Sequence, residues 1–339
     1  VQGSCTPESL GGRGASAVEL MLLFEGLGHA GVDTGMAFAL ASHTVTVERA
    51  LAEFGTPAQV ERWLRPIIAG DAVGAFAMTE PESGSDPWSM ASIAVPDDDG
   101  YVLNGSKTWI TLAPFADVAI VFARTDPDAG HWGVSAFVVD LHAPGVTRSE
   151  PLAKSGLVSS AWGRLDFVDV RLGPGDVLGK PGAGAAIFNH IVEAERAFLY
   201  APVVGASERI IERCVERART RRQGGGPIGS HQAVAHRIVG MKQRHEAARL
   251  LLYKAAAVAD GRGSLTIPAG LAKLEASELG PMIALDAIRI FGAAGYSSDA
   301  ELDRALCDAV GGLSFSATSD IARNIVASEL RLERPIRGR

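Results

Sequence analysis

Two short polar segments contain side chains that could hold a planar ring. The first runs Thr79-Glu80-Pro81-Glu82-Ser83 into Gly84-Ser85-Asp86, and the second is Trp109-Ile110-Thr111. Backbone amides in a Gly/Ser turn and a Thr hydroxyl are small hydrogen-bond donors, and an indole supplies an aromatic wall. Each segment alone is typical of a hairpin loop with a core tryptophan. Together, at the ends of two predicted strands, they indicate a site for a planar, hydrogen-bonding ring.

A carboxylate on an apolar helical stripe is the candidate proton acceptor. Helical spacing places five apolar side chains on one predicted face: Phe188, Ile191, Val192, Phe198 and Leu199. Glu195 falls inside this stripe, where desolvation would raise its pKa towards the range of a general base. The alternative is a structural carboxylate paired with Arg196 or facing a wet groove. Glu193 lies off the stripe and is predicted to be solvated.

The elements that must position these residues follow the order helices, strands, helices. The pattern predicts an N-terminal helical domain at 1–71, a middle β domain at 72–175 and a C-terminal helical domain at 176–339. Short β-rich runs separated by turn clusters indicate an antiparallel barrel or sandwich in the middle. This is an α+β protein. One long helical pattern is predicted over 187–222.

Composition excludes several classes of function. The 339 residues carry a net charge of −7, so the basic footprint of a nucleic-acid-binding protein is missing. The longest apolar runs are too short to span a bilayer. Cys5, Cys214 and Cys307 form no cluster, which argues against a zinc site or a disulfide framework and favours a reducing compartment such as the cytoplasm.

Motifs across nearly the whole chain resemble those of the acyl-CoA dehydrogenase family. The matching segments are Pro7–Gly14, Met78–Asp86, Asn104–Thr111, Arg221–Gln232, Phe291–Tyr296, Asp308-Ala309 and Thr318–Ala327. The resemblance implies FAD as cofactor, a C-terminal four-helix bundle and a homo-oligomer, usually a tetramer built as a dimer of dimers. Because the chain begins at Val1, we expect the family's first helices to precede it.

The resemblance also implies roles for individual residues. The residues implied to bind FAD are Met78, Thr79, Ser85, Trp109, Thr111, Arg221, Gln232, Gly292, Gly295 and Thr318. Those implied to line the substrate site are Ser85, Arg196 and Phe315. Trp109 would wall the flavin, Thr318 would meet the pyrophosphate at a helix N-terminus, and Arg221 and Gln232 would reach the FAD of a neighbouring subunit.

Two departures from the family pattern affect the chemistry. Many members carry the catalytic Glu in a Y-E-G-T motif, whereas this chain has Phe315-Ser316-Ala317-Thr318. Ser316 is no base without help, although its backbone N–H could still donate to a thioester carbonyl. In isovaleryl- and long-chain-type members the base lies instead on a helix of the C-terminal domain just before an Arg, and Glu195 matches that position. Gly224 replaces a Phe that packs on FAD.

Three functions remain open at this point. The first is FAD-dependent α,β-dehydrogenation of an acyl thioester, carried by CoA or an acyl-carrier protein, with Glu195 as base. Electrons would pass to an electron-transfer flavoprotein or to oxygen. The second is a flavin monooxygenase of the same fold, because such enzymes also lack the usual Glu. The third is a scaffold that binds an acyl thioester without turnover.

Overall fold

The computed structural model describes residues 1–332, which divide into two compact units. The first unit comprises 1–16, 39–154 and 160–195, and the second comprises 17–38, 155–159 and the chain from 196 onward. The last seven residues of the predicted C-terminal domain, 333–339, lie outside the described part of the chain.

Helices occupy both ends of the chain. They are α1 (Ala17–His29), α2 (Thr34–His43), α3 (Arg49–Phe54), α4 (Pro57–Gln59), α5 (Arg65–Ala69), α6 (Gly184–Phe198), α7 (Ala201–Thr220), α8 (Gln232–Asp260), α9 (Thr266–Phe291), α10 (Leu302–Val310) and α11 (Ser319–Glu329). The boundary between the units falls inside α6, directly after Glu195.

The strands lie in the middle of the chain, apart from one small hairpin. They are β1 (Gly74–Ala77), β2 (Ile93–Asp97), β3 (Gly100–Thr111), β4 (Val118–Arg124), β5 (Val134–Asp140), β6 (Val146–Arg148), β7 (Trp162–Leu172), β8 (Val177–Leu178), β9 (Arg222–Gln223) and β10 (Gly226–Pro227). The sheet order is β6-β7-β3-β2-β4-β5-β8, and β1 pairs with β4.

The core of the first unit lies on both faces of β4. Val118, Ile120 and Phe122 belong to one buried cluster, whereas Ala119 and Val121 belong to another. This explains why β4 reads as an uninterrupted apolar run rather than an alternating one. Most pairings are antiparallel as predicted, but β4 runs parallel to both β1 and β2.

The second unit is built around α9. This helix packs against α7, α8, α10 and α11, and α1 packs against α7 and α8. Small buried residues let neighbours approach closely, and a Cβ at Gly280 would lie 2.9 Å from the Cβ of Ala309. The predicted continuous helix over 187–222 is wrong: α6 ends at Phe198 and α7 begins at Ala201. Pro202 suits the first turn of a new helix because it lacks an N–H.

Within residues 1–332, no helix combines the length and apolar character that a membrane span requires.

Candidate functional site

The signature loop, Thr79–Asp86, is held by a buried ion pair in the first unit. The Lys107 ammonium lies 2.7 Å from Glu80 Oε1 and also donates to the Met78 carbonyl at 3.0 Å. The same carboxylate accepts the backbone N–H groups of Ala91 and Ser92 at 2.5 and 3.0 Å. Lys107 is fully buried and Glu80 is 5% exposed. The loop is therefore fixed to β3, and Glu80 has the structural role that its burial requires.

In each residue of this pair, burial favours the neutral form and the partner's charge favours the charged form. Burial raises the pKa of Glu80, but the Lys107 charge and the hydrogen bonds to the carboxylate outweigh it and hold that pKa below its usual value. Burial lowers the pKa of Lys107 to about 8, although Glu80 opposes the shift. Both groups are charged at neutral pH, so the loop is anchored by a salt bridge.

A β-bulge presents Trp109 to solvent. The β3–β7 register shifts between Lys107 and Ile110, so β3 contains one more residue than β7 there. Trp109 has φ 59° and is 52% exposed. The Thr108 N–H donates to the Thr79 carbonyl at 2.9 Å, which joins the signature loop to the strand that carries Trp109.

The other residues predicted to bind the flavin in the first unit lie in or beside the signature loop and on β3. Met78 is buried, Thr79 is half-buried, and Thr111 is half-buried opposite Trp162 on β7. Ser85 is exposed near the C-terminal end of the signature loop. The structure therefore brings Met78, Thr79, Trp109 and Thr111 together around β3.

Glu195 lies on α6 among buried neighbours. Val192, Ala194, Phe198 and Leu199 are all buried, and Glu195 itself is half-buried. Glu193 is also half-buried, whereas the sequence predicted it to be solvated. The two carboxylates therefore have the same class of solvent exposure.

His190 on α6 is hydrogen-bonded to side chains of α3. Its Nε2 lies 2.5 Å from Glu53 Oε2 and 3.3 Å from an Arg49 guanidinium nitrogen. The imidazole belongs to an exposed ion-pair cluster with Glu53 and Arg49.

The motif loop, Phe315–Thr318, contains consecutive left-handed residues in the second unit. Ser316 has φ 53° and Ala317 has φ 75°, a region that favours glycine. Ala317 stands where the family motif has Gly. The Ser316 Oγ is buried and has no hydrogen-bond partner among residues 1–332. Strained backbone and an orphaned polar atom coincide in one loop, as is common at functional sites.

Aromatic side chains pack against Phe315 of the motif loop. The Tyr200 and Phe315 rings stack at 5.3 Å, and Phe38 contacts Phe315 edge-on at 4.7 Å. The Tyr200 hydroxyl donates to the carbonyls of Gly312 at 2.7 Å and Phe315 at 3.2 Å. Phe315 is therefore packed between two rings within its own unit.

Thr318 begins α11, and a buried lysine lies beside that helix end. The Thr318 hydroxyl accepts the Ile321 N–H at 3.3 Å and so forms the N-cap. Lys273 is fully buried on α9, with its ammonium 3.3 Å from Ser319 Oγ. Burial lowers the pKa of Lys273 to about 8. The sequence analysis did not select Lys273. The signal that could have found it is a lysine among apolar residues on one face of a predicted helix.

The predicted residues at Arg221–Gln232 and Gly292–Gly295 lie at helix ends. Arg221 follows α7, and its carbonyl accepts the Ile228 N–H at 2.7 Å, while Gln232 begins α8. Gly224 and Gly225 both have positive φ in a two-residue hairpin turn, which glycine suits better than Phe. Gly292 has φ 63° and ends α9.

A candidate metal cluster in the second unit is an ion-pair network. Glu208, His245 and Glu246 offer oxygen and nitrogen atoms within 4.8 Å of one another. However, the Lys242 ammonium lies 2.8 Å from both Glu208 oxygens and 2.8 Å from Glu246. The Lys242 ammonium therefore already pairs with both carboxylates.

Family models match all three segments of the chain. They describe the acyl-CoA dehydrogenase N-terminal domain at residues 1–71, middle domain at 75–170 and C-terminal domain at 182–331. The chain belongs to the acyl-CoA dehydrogenase family. This confirms the predicted family and fold class.

Similar acyl-CoA dehydrogenase family members include proteins that act on carrier-bound substrates. The L-prolyl-[peptidyl-carrier protein] dehydrogenase of Pseudomonas fluorescens is 40% identical over 97% of this chain and 87% of the relative. The solved FAD complex of PigA has a TM-score of 0.95 at 36% identity, covering 97% of this chain and 86% of that chain. The prolyl acyl carrier protein oxidase AnaB also has a TM-score of 0.95 at 36% identity, covering 97% and 87%.

Membership of the acyl-CoA dehydrogenase family makes this chain an FAD-dependent oxidoreductase that acts on the CH–CH bond of acyl thioesters, as the sequence predicted. The residues present fit that cofactor. A half-exposed indole beside small hydrogen-bonding residues suits a flavin ring. The N-terminus of α11 with the buried Lys273 ammonium suits an anionic pyrophosphate.

Proposed function

We propose that this dehydrogenase oxidises an L-prolyl or similar small acyl group bound as a thioester to a carrier protein, with Glu195 as the base. The observation that carries the assignment of the base is Glu195 on the buried stripe of α6, in a chain whose motif loop has Ser316. The names of the relatives support the carrier-bound substrate.

In this proposal the Glu195 carboxylate accepts the α-proton of the thioester. Its neighbours along the helix are buried, so in this proposal the proton transfer takes place beside apolar side chains. Bound FAD would supply the acceptor for the β-hydrogen, which leaves as a hydride. The α-proton and the hydride together account for the two hydrogens that leave the substrate.

The motif loop stabilises the negative charge that develops on the thioester oxygen. The backbone N–H of Ser316 is the donor, because a main-chain amide survives the replacement of Glu by Ser. Tyr200 and Phe38 hold Phe315, and therefore fix the direction of the next amide. Arg196 and Ser85 are assigned to substrate binding.

The residues that would hold the cofactor in this proposal are those that the family resemblance implies. Thr79, Met78 and Thr111 would donate to the flavin ring, and Trp109 would cover it. Thr318 would bind the pyrophosphate at the N-terminus of α11. Arg221, Gln232, Gly292 and Gly295 contact the FAD of a neighbouring subunit, which is compatible with the exposure of Arg221, Gln232 and Gly292 in a single chain.

The deciding experiment follows flavin absorbance after anaerobic addition of an L-prolyl thioester of a carrier protein. The wild type should bleach, and Glu195→Gln should bleach about 10²–10⁴-fold more slowly, the range for loss of a general base. Glu193→Gln is the matched control, because it removes a half-buried carboxylate from the same helix. Ser316→Ala should bleach nearly normally.

The outcomes separate the alternatives. Normal bleaching in Glu195→Gln, or loss of bleaching in Glu193→Gln, would refute the assignment of the base. Oxygen consumption with a supplied reductant but without bleaching would favour a monooxygenase. Bleaching with prolyl-CoA and none with the prolyl carrier protein would refute the proposed carrier.

Three further assignments complete the proposal. Electrons pass from the reduced enzyme to an electron-transfer flavoprotein or to oxygen, which stopped-flow reoxidation with each acceptor distinguishes. The enzyme is a dimer or tetramer, which light scattering measures. It works in the cytoplasm, as three cysteines without disulfides suggest, and cell fractionation tests this.

A further inference from the structure

A second tryptophan, Trp162, contacts the indole of Trp109, the residue proposed to cover the flavin ring. The ring centroids of Trp109 and Trp162 lie 5.0 Å apart with an interplanar angle of 50°. Trp162 begins β7, where its Cα pairs with that of Thr111 on β3. Both rings therefore lie beside the bulge that presents Trp109.

Trp162 is anchored at several points. Its indole N–H donates to the Leu152 carbonyl at 3.0 Å, and the Leu152 N–H donates to the Trp162 carbonyl at 3.0 Å. The Lys154 ammonium lies 5.4 Å from the centre of the Trp162 ring, within the range of a cation–π contact. The side chain is half-buried. Trp162 is thus a fixed surface for its neighbour.

Trp109 combines an unfavourable backbone conformation with an exposed side chain, so contacts with its surroundings must hold it. Its positive φ is a conformation that a bulky residue adopts only when its surroundings impose it. The side chain is also 52% exposed, so about half of its surface lacks protein contacts. A tilted aromatic pair has a preferred geometry and therefore restricts the rotation of the exposed ring.

We propose that Trp162 is a positioning residue that holds the Trp109 indole in the orientation in which it covers the flavin. This inference rests on the proposed role of Trp109 as the flavin wall. Trp162 acts through Trp109 and not on the substrate, so its loss changes the environment of the cofactor before it changes the chemistry.

The first test uses the apoprotein and circular dichroism. Two indoles 5.0 Å apart should give an exciton couplet, which should disappear in Trp162→Thr and in Trp109→Phe. Trp132→Phe is the matched control, because Trp132 is 74% exposed and has no ring contact among residues 1–332. A couplet that persists in Trp162→Thr would overturn the proposed contact.

The second test measures FAD affinity and the flavin absorption spectrum. Trp162→Thr should weaken FAD binding about two- to tenfold, the size expected from one lost aromatic pair, and shift the flavin bands. Trp162→Phe should restore most of both, because a phenyl ring can still pack on Trp109. Urea midpoints for each variant identify any loss that comes from unfolding.

The results distinguish the positioning role of Trp162 from the proposed role of Trp109 as the flavin wall. If Trp109→Phe leaves the flavin spectrum and affinity unchanged, Trp109 is not the wall and both ideas fail. If Trp109→Phe changes them but Trp162→Thr does not, the wall stands and the positioning role of Trp162 is wrong. If Trp162→Phe behaves like Trp162→Thr while remaining folded, a ring at this position is insufficient and the positioning role is also overturned.

Discussion

The signature loop and the motif loop are fixed by different forces. The signature loop is held by a buried Lys107–Glu80 salt bridge together with backbone hydrogen bonds to the same two side chains. The motif loop is held by stacked rings and one tyrosine hydroxyl, and it keeps two left-handed residues and an unpartnered Ser316 Oγ. The first loop has satisfied polar groups, whereas the second stores strain. The signature loop is therefore fixed by charge and hydrogen bonds, whereas the motif loop depends on aromatic packing.

The largest expected effect comes from breaking the salt bridge. Lys107→Met leaves the Glu80 carboxylate buried without its cation, and we expect the free energy of unfolding to fall by about 3–5 kcal/mol. The double variant Lys107→Met/Glu80→Gln should recover much of this loss, because no buried charge remains. Urea unfolding measures both. Equal destabilisation of the single and double variants would show that packing, not charge, holds the signature loop.

The same pair predicts a dependence of stability on pH. The pKa of Glu80 is lowered in the folded state, so below its ordinary value of 4.5 the unfolded chain binds more protons. The stability contributed by Glu80 is therefore present above that pH and is lost as the pH falls through the folded pKa. Glu80→Gln should flatten the fall of the urea midpoint with acidification. Glu82→Gln, an exposed residue of the same loop, should retain the wild-type slope.

A smaller effect is expected at the support of the motif loop. Tyr200→Phe keeps the ring that stacks on Phe315 but removes the hydroxyl that donates to two carbonyls. We expect a loss of about 1–2 kcal/mol in the free energy of unfolding. Tyr296→Phe is the control, since Tyr296 is 84% exposed and its hydroxyl should contribute little. A midpoint unchanged in Tyr200→Phe would show that stacking alone supports the loop.

The two loops also differ in how far the sequence predicted them. The sequence predicts both Thr79–Asp86 and Trp109–Thr111 as parts of a ring-binding site, because their residue types match the family motifs. The pairing of Glu80 with Lys107 was not predicted, since it depends on strand register between residues 27 positions apart. In the motif loop, the sequence shows that Ser316 replaces the family's Glu. It does not predict the left-handed backbone of Ser316 and Ala317, because no local propensity favours that conformation in serine or alanine.

Other elements show the same limit. Periodicity alone joined 187–222 into one helix, although Pro202 was the available signal for a break before α7. Trp162 was not selected, because only the pairing of β3 with β7 brings it to Trp109. The three-domain boundaries and the roles of individual site residues stay predictions. The contact of Trp162 with Trp109 thus depends on strand pairing over a long sequence separation, whereas the break before α7 had a local signal.

The smallest expected effect addresses the strain itself. Ala317 has φ 75°, where a Cβ is unfavourable and glycine is not, so Ala317→Gly should relieve strain. The greater entropy of glycine in the unfolded chain opposes this gain, leaving a net stabilisation of up to about 1 kcal/mol. Ala322→Gly is the matched control: Ala322 is buried inside α11, so the same substitution there should destabilise by about 1 kcal/mol. Opposite signs for the two variants in urea unfolding would establish that the motif loop is strained. Destabilisation of similar size in both would mean that the Ala317 methyl contributes packing that outweighs its backbone cost, and that the contrast with the signature loop lies only in the polar groups.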